Sequence, residues 1–406
     1  MALAAAGSWH AGAEWVVALL LVASVTFLVA CASALFGNRP FAVRWMIGPA
    51  VAFRLLFATV PPSLSDDVWR YLWDGEVAAA GINPYRFAPD DLALSGLRDA
   101  TWERMNHRSI STIYPPYAQL LFRAVAPRGG LMGWKVVVLA FDLLALLGVM
   151  EGLRAVGRPA ALAILYAWNP LVLTEFAWNA HVDVVAVAGV TWAVVASLRE
   201  RPRLAVALVC LAGGIKLFPL ALLPVFVKRS GCRPGIAIAA AIGLAGAVPY
   251  ASAGLAALSS GLRVYAETWE FNGSLYEALR SLVAPSTARL LLAVAMLTVV
   301  ACVTRSSADV PDATLWILAC MVFVSPTVHP WYATWLIPLL PLARRAPRAS
   351  LLLFTQVVVL SYVVLAVRDA TGRWFLPARY ANLEWWPVWS LLGVELLRSR
   401  RERAVS

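Results

Sequence analysis

Apolar stretches of about 20 residues recur along the whole chain, separated by short polar or basic turns. A stretch of that length crosses ~30 Å of hydrocarbon as a helix, and a lipid environment leaves no other open form for a backbone that must satisfy its own hydrogen bonds. The pattern predicts an all-α polytopic membrane protein with about 11 spans, near 14–36, 41–60, 131–152, 159–174, 181–198, 234–252, 287–304, 312–326, 331–343, 349–367 and 385–397. The first of these contains a signal-like Ala32-Ser33-Ala34, but no Lys or Arg precedes it and it exceeds a usual signal core, so it is expected to be a retained span.

The segment 204–227 breaks the alternation. Basic residues flank it on both sides, and its middle, GIKLFPLALLPVF, holds Pro219 and Pro224 just after Gly213 and Gly214. A single crossing would violate the charge rule, so a re-entrant hairpin of two short helices is expected, with Lys216 near its outer tip and beside a wet cavity.

Polar sequence collects on one side. Residues 61–130 form the largest outer loop and 253–286 the second, within one transmembrane domain spanning 1–406. Within the first, SLSDDVWRYLWDG (Ser63–Gly75) reads as an interfacial helix starting near Ser65, with Asp66, Arg70 and Asp74 as a charge ladder and Val68, Trp69, Leu72 and Trp73 as its apolar side. Acids at a helix N-terminus cap free N–H groups and complement the dipole, which accounts for one aspartate and leaves Asp67 over.

Composition sharpens the class. Of 406 residues, 61% are hydrophobic and 14% charged, too apolar for an ordinary soluble protein. The net charge of +11 resides in short loops such as Arg39 and Arg44, Arg154 and Arg158, Arg199 to Arg203, and Arg344 to Arg348. That is the positive-inside pattern, facing anionic lipid, so membrane lipids and no nucleic acid are the expected surroundings. The five cysteines lie in spans or near cytoplasmic turns and suggest no disulfide framework or metal cluster.

Ionisable residues inside apolar stretches cost roughly 2.5–3.5 kcal/mol each on insertion scales and so face partners or cavities. Arg54, Lys135, Asp142 and Lys216 are of this kind. Asp142 is balanced between structure and function, and Lys216, at a broken-helix tip, leans to function. His181 and Asp183 are spaced i, i+2, which does not favour a metal site. No phosphate-binding glycine loop, nucleophile elbow or kinase signature occurs.

The order of motifs carries a resemblance. The aspartate pair is followed by AAAGINPYRF, IYPPYAQLLF, KVVVLAFDLLALL, WNPLVLTEFAWNAHVD, GIKLFPLALLPVF, EFNGSLYEAL and HPWYATWLIPLL. Together, over roughly Arg54 to Pro341, these resemble the GT-C superfamily of polyprenyl-phosphate-sugar-dependent glycosyltransferases, nearest to the catalytic subunit of GPI mannosyltransferase I and to glycosyltransferase family 87. The resemblance implies a GT-C-like bundle and transfer of a hexose, often mannose, from a polyprenyl-phosphate donor to a lipid or glycan acceptor outside the cytoplasm of a bacterial plasma membrane. It also implies inverting single displacement with an aspartate base, Asp66 or Asp67, the helix register favouring Asp67. Lys216 becomes the leading cation for the donor phosphate, with Asn179, His181, Asp183 and His329 matching polar positions of the family. Arg70, Tyr114, Asn272 and Tyr332 complete the expected donor and substrate contacts. The eukaryotic relative has Asp-x-Asp where this chain has Asp66-Asp67, which leaves a divalent cation open as a cofactor.

Two other classes fit parts of the same pattern. A transporter or flippase of lipid-linked sugars would explain the intramembrane charges and broken helices, though not the long aromatic and acidic outer loop. A structural subunit of a glycosylation complex would tolerate loss of the carboxylates without loss of turnover.

Overall fold

A computed structural model describes residues 12–36 and 42–405; Arg39 lies outside them. The described chain is helical, its extended pairing limited to isolated bridges from Phe271 and Asn272 to Thr327. Five helices are long and apolar enough to cross a membrane: Glu14–Phe36, Pro116–Ala155, Cys232–Thr268, Pro285–Arg305 and Arg348–Thr371. A sixth is available if Ala160–Ala167 and Pro170–Trp178, bent by 49°, act as one span. The expected eleven are therefore not reached on length and apolarity.

The shortfall has local causes. The bend falls at Asn169-Pro170, where the Asn169 side chain accepts from Leu171 N at 3.0 Å and starts a new helix on the proline. The expected span 331–343 keeps only the short helix Pro330–Ala333, and Pro338 and Pro341 hold the remainder in buried turns. The second outer loop, expected from 253, is helical through Gly254–Thr268. By contrast Gly130, at φ 50°, interrupts Pro116–Ala155 at the boundary expected between the first outer loop and the following span.

The chain forms two compact units. One gathers the described parts of Met1–Phe53 with Val156–Glu175 and Glu270–Ser406, and the other comprises Arg54–Ala155 and Phe176–Trp269. In the second unit the helix Asp67–Ala79 packs along Pro116–Ala155. A Cβ at Gly75 would lie 2.5 Å from Phe122 O and 2.6 Å from Ala126 Cβ, so only glycine permits this approach. The close contact corrects the interfacial reading. Val68, Tyr71 and Trp73 are buried by protein, with Leu94 and Met105 closing over Trp73. The helix begins at Asp67, two residues later than expected, with Ser65 Oγ accepting from Asp67 N at 3.3 Å. Asp66 occupies the cap position without a side-chain cap bond.

Around 204–227 the helices Pro202–Gly213 and Leu223–Ser230 pack together, with a tight turn at Phe218–Leu222 between them. Gly214 seats the break, since a Cβ there would meet Tyr117 Cδ2 at 2.2 Å, and its carbonyl accepts from Ala118 N at 3.1 Å. The hairpin tip is thereby pinned to the start of the Pro116–Ala155 helix. Asp142 is a structural residue: Arg54 grips it with Nε–Oδ2 at 2.7 Å and Nη2–Oδ1 at 3.1 Å, both side chains fully buried. Lys135 Nζ donates to the carbonyls of Ala58 and Val60, closing the open end of the preceding helix.

Candidate active site

Four segments of the second unit converge on Asp67. The carboxylate sits at the first turn of its helix, and Tyr71 follows one turn later on the same face. Tyr71 Oη is 3.5 Å and Tyr114 Oη 3.4 Å from the same oxygen, Asp67 Oδ2. His181 Nδ1 lies 3.8 Å from Oδ2 and 3.5 Å from Tyr71 Oη. These contacts are at the long end of hydrogen bonding. Among the described residues Asp67 Oδ1 has no hydrogen-bond partner.

Packing fixes the phenols. Tyr71 stacks on Phe122 at 5.0 Å and meets Tyr114 edge-on at 5.1 Å, while Trp134 tilts against it at 5.5 Å. His181 is held by backbone. Ala180 adopts φ 58°, a left-handed conformation costly for a residue with a Cβ, and its carbonyl accepts from Trp134 Nε1 at 2.8 Å.

Lys216, from the hairpin break, donates to Asp183 Oδ2 at 3.0 Å and lies 5.5 Å from the centre of the Tyr114 ring. Asp67 and Lys216 keep 23% and 14% of their side chains exposed, whereas His181 and Asp183 keep none. Asp67 and Lys216 are thus the groups a ligand can reach, and the buried pair positions them. Removal from water holds the Asp67 carboxyl above its usual range. Lys216 and the two phenols oppose that shift, and Asp183 adds to it.

The other expected residues divide. Asp66 is engaged by Asn106 Nδ2, a partner the sequence did not reveal. Arg70 pairs with Asp74 at 2.8 Å and donates to Ile110 O at 3.0 Å, realising the lower half of the charge ladder. Asn179 Oδ1 accepts from Ser63 N at 3.3 Å and Leu64 N at 3.1 Å, and so anchors the segment leading into Asp67. His329, Tyr332 and Asn272 belong to the first unit. There His329 stacks between Phe271 at 4.9 Å and Trp331 at 4.3 Å, with Tyr332 edge-on. Asn272, at φ 55°, donates to buried Glu384 at 2.8 Å and accepts from Trp385 Nε1 at 3.0 Å. Glu384 escaped the sequence reading because it lies far along the chain in no recognisable motif. Tyr71 was legible as the i+4 neighbour of Asp67.

The residues do not fit a divalent cation. Among the described residues no three His, Cys, Asp or Glu side chains are grouped to hold a metal, and the ammonium of Lys216 already supplies the cation against Asp183. The arrangement is a desolvated carboxylate with one occupied and one open oxygen, beside a fixed cation. It can take a proton from a hydroxyl and stabilise an anion.

No curated protein matches the chain. A family model does match, over residues 2–230, which carries both aspartates, the histidine and Asp183, and Lys216; its description is alpha-(1->6)-mannopyranosyltransferase, N-terminal domain. The chain belongs to the alpha-(1->6)-mannopyranosyltransferase family, a membrane mannosyltransferase family of GT-C type.

Proposed function

We propose that this mannosyltransferase takes its sugar from a polyprenyl-phosphate donor and passes it to a lipid or glycan acceptor on the non-cytoplasmic side, by inverting single displacement with Asp67 as general base. The observation that carries this reading is a partly exposed, desolvated carboxylate that feels the charge of a fixed ammonium in the same cluster.

In the proposed step the acceptor hydroxyl hydrogen-bonds to Asp67 Oδ1. Its oxygen attacks the anomeric carbon while its proton passes to the carboxylate. The bond between that carbon and the phosphate oxygen breaks, the electron pair staying on the departing polyprenyl phosphate. That group leaves as an anion, so no acid partner is required, unlike in glycosidases with two carboxylates. Lys216 compensates the growing phosphate charge, and a buried site makes such compensation stronger than it would be in water. A base whose proton affinity has been raised by burial is better matched to a hydroxyl than an ordinary exposed aspartate.

Purified protein supplied with labelled polyprenyl-phosphate-mannose and membrane lipids tests the reading. Incorporation of label that disappears in Asp67→Asn supports it. Incorporation from a nucleotide-sugar alone, or full activity in Asp67→Asn, would sink it.

A further inference from the structure

The first unit gathers arginines from two distant stretches of chain. Arg158 Nη1 donates to Pro341 O at 2.7 Å and to Ala343 O at 2.8 Å, which locks its guanidinium beside the turn that carries Arg344, Arg345 and Arg348. Arg344 Nη2 reaches back to Val156 O, tying the two stretches together in the opposite direction. The arginines stay crowded. Burial and the charges of Arg348 and Arg344 depress the Arg158 guanidinium from its usual basicity, with Asp312 opposing them.

Two carboxylates lie in the vicinity, and both are turned to backbone. Asp312 is buried and accepts from the N–H groups of Arg344, Arg345 and Ala346, the last two at 2.8 Å. Glu395 accepts from Ala349 N at 3.0 Å and Ser350 N at 2.9 Å. No carboxylate forms an ion pair with any of the four guanidinium groups among the described residues. Arg344 and Arg345 are exposed, and Arg158 and Arg348 half-buried.

Position specifies what would neutralise them. The apolar helix run Arg348–Thr371, long enough to span a membrane, begins on Arg348 itself. The bent apolar pair begins at Ala160, two residues after Arg158. The cluster therefore stands where apolar segments end, at the depth of lipid headgroups. A guanidinium presents a planar fork of donors that matches two oxygens of a phosphate, which an ammonium does not.

We propose that Arg158, Arg344, Arg345 and Arg348 form a binding site for the phosphate headgroup of an anionic phospholipid. The site is expected to face the cytoplasmic leaflet, where positive loops collect.

Native mass spectrometry of the full chain in detergent, offered equal phosphatidylglycerol and phosphatidylcholine, tests it. The wild type is expected to retain phosphatidylglycerol selectively. Arg345→Gln/Arg348→Gln should bind it roughly 25-fold more weakly, since each cation near an anionic surface contributes about fivefold. Arg201→Gln/Arg203→Gln, in another basic loop, should bind as wild type does. Equal retention of both lipids, or undiminished phosphatidylglycerol on the Arg345/Arg348 variant, would overturn the proposal. If that variant does not fold, the wild type alone decides. Phosphatidylglycerol and not phosphatidylcholine should raise its melting temperature, and high salt should erase the rise. No rise, or an equal rise with inorganic phosphate alone, counts against a lipid site.

Discussion

Lys216 Nζ stands 3.0 Å from Asp183 Oδ2, an ion pair between residues 33 apart in sequence that joins the hairpin break to the first turn of Asp183–Leu198. The pair leaves the ammonium aimed and partly exposed, and Asp183 fully enclosed. Removing the cation by Lys216→Met should lower kcat by roughly 10²-fold or more, the range for losing one preorganised charge stabiliser. Asp183→Asn should lower it less, because the cation remains but is no longer held. A double-mutant cycle on transfer rates measures the coupling, and simple additivity would show that Asp183 does not act through Lys216.

Asp67→Asn should reduce transfer by about 10²–10⁴-fold, the usual share of general-base catalysis. Its melting temperature should stay level or rise, because the amide removes a charge that burial disfavours. Asp66→Asn should retain most activity, since its carboxylate is engaged by Asn106. Transfer assays on the two variants, with thermal melts in the same detergent, separate base from cap. Comparable losses in both would overturn the assignment.

The phenols donate to the charged form of Asp67 and so lower its pKa against the stronger effect of burial. Tyr114→Phe therefore raises that pKa further. The base works only when deprotonated and loses activity as pH falls through its pKa, so the acid limb of kcat/KM should move to higher pH. The loss at the plateau should be about tenfold or less, given contacts at the long end of hydrogen bonding. An acid limb that stays in place would show that Tyr114 does not contact the working base.

Breaking the Arg54–Asp142 pair should cost stability without touching chemistry. Asp142→Asn leaves a buried guanidinium uncompensated, a loss of about 3–5 kcal/mol by precedent for buried pairs. Replacing both residues, as in Arg54→Met/Asp142→Leu, should recover most of it. Unfolding curves of the single and double variants check this, and recovery absent from the double variant would point to a role beyond pairing.

Much of this site was legible in the sequence because its chemistry sits in short, unusual runs. Asp67 stood out because a helix needs one capping acid and the run offered two. Lys216 stood out because glycines and prolines surround a cation in an apolar hairpin. Convergence was not legible: nothing local states that Tyr114 and His181 meet at the Asp67 carboxylate or that Lys216 meets Asp183 close by, since that follows from helices packing at Gly75 and Gly214. The expected count of spans was not reached on length and apolarity for a related reason. An apolar run reports that a segment is buried, and around the prolines at 338 and 341 such a run is held in packed turns rather than a continuous helix. Asn106 and Glu384 escaped because a buried partner for a known residue lies anywhere in the chain.

The two oxygens of Asp67 are chemically identical in the free amino acid and interchange by a half-turn of the carboxylate. Here both phenols touch only Oδ2, and Phe122 and Trp134 clamp the ring of Tyr71. The half-turn would carry the phenol-bonded oxygen away from its two partners, so the oxygens sit in distinct surroundings. If Asp67 is the base, the side from which an acceptor hydroxyl meets it is inherited from an aromatic packing arrangement, the bed of a tyrosine.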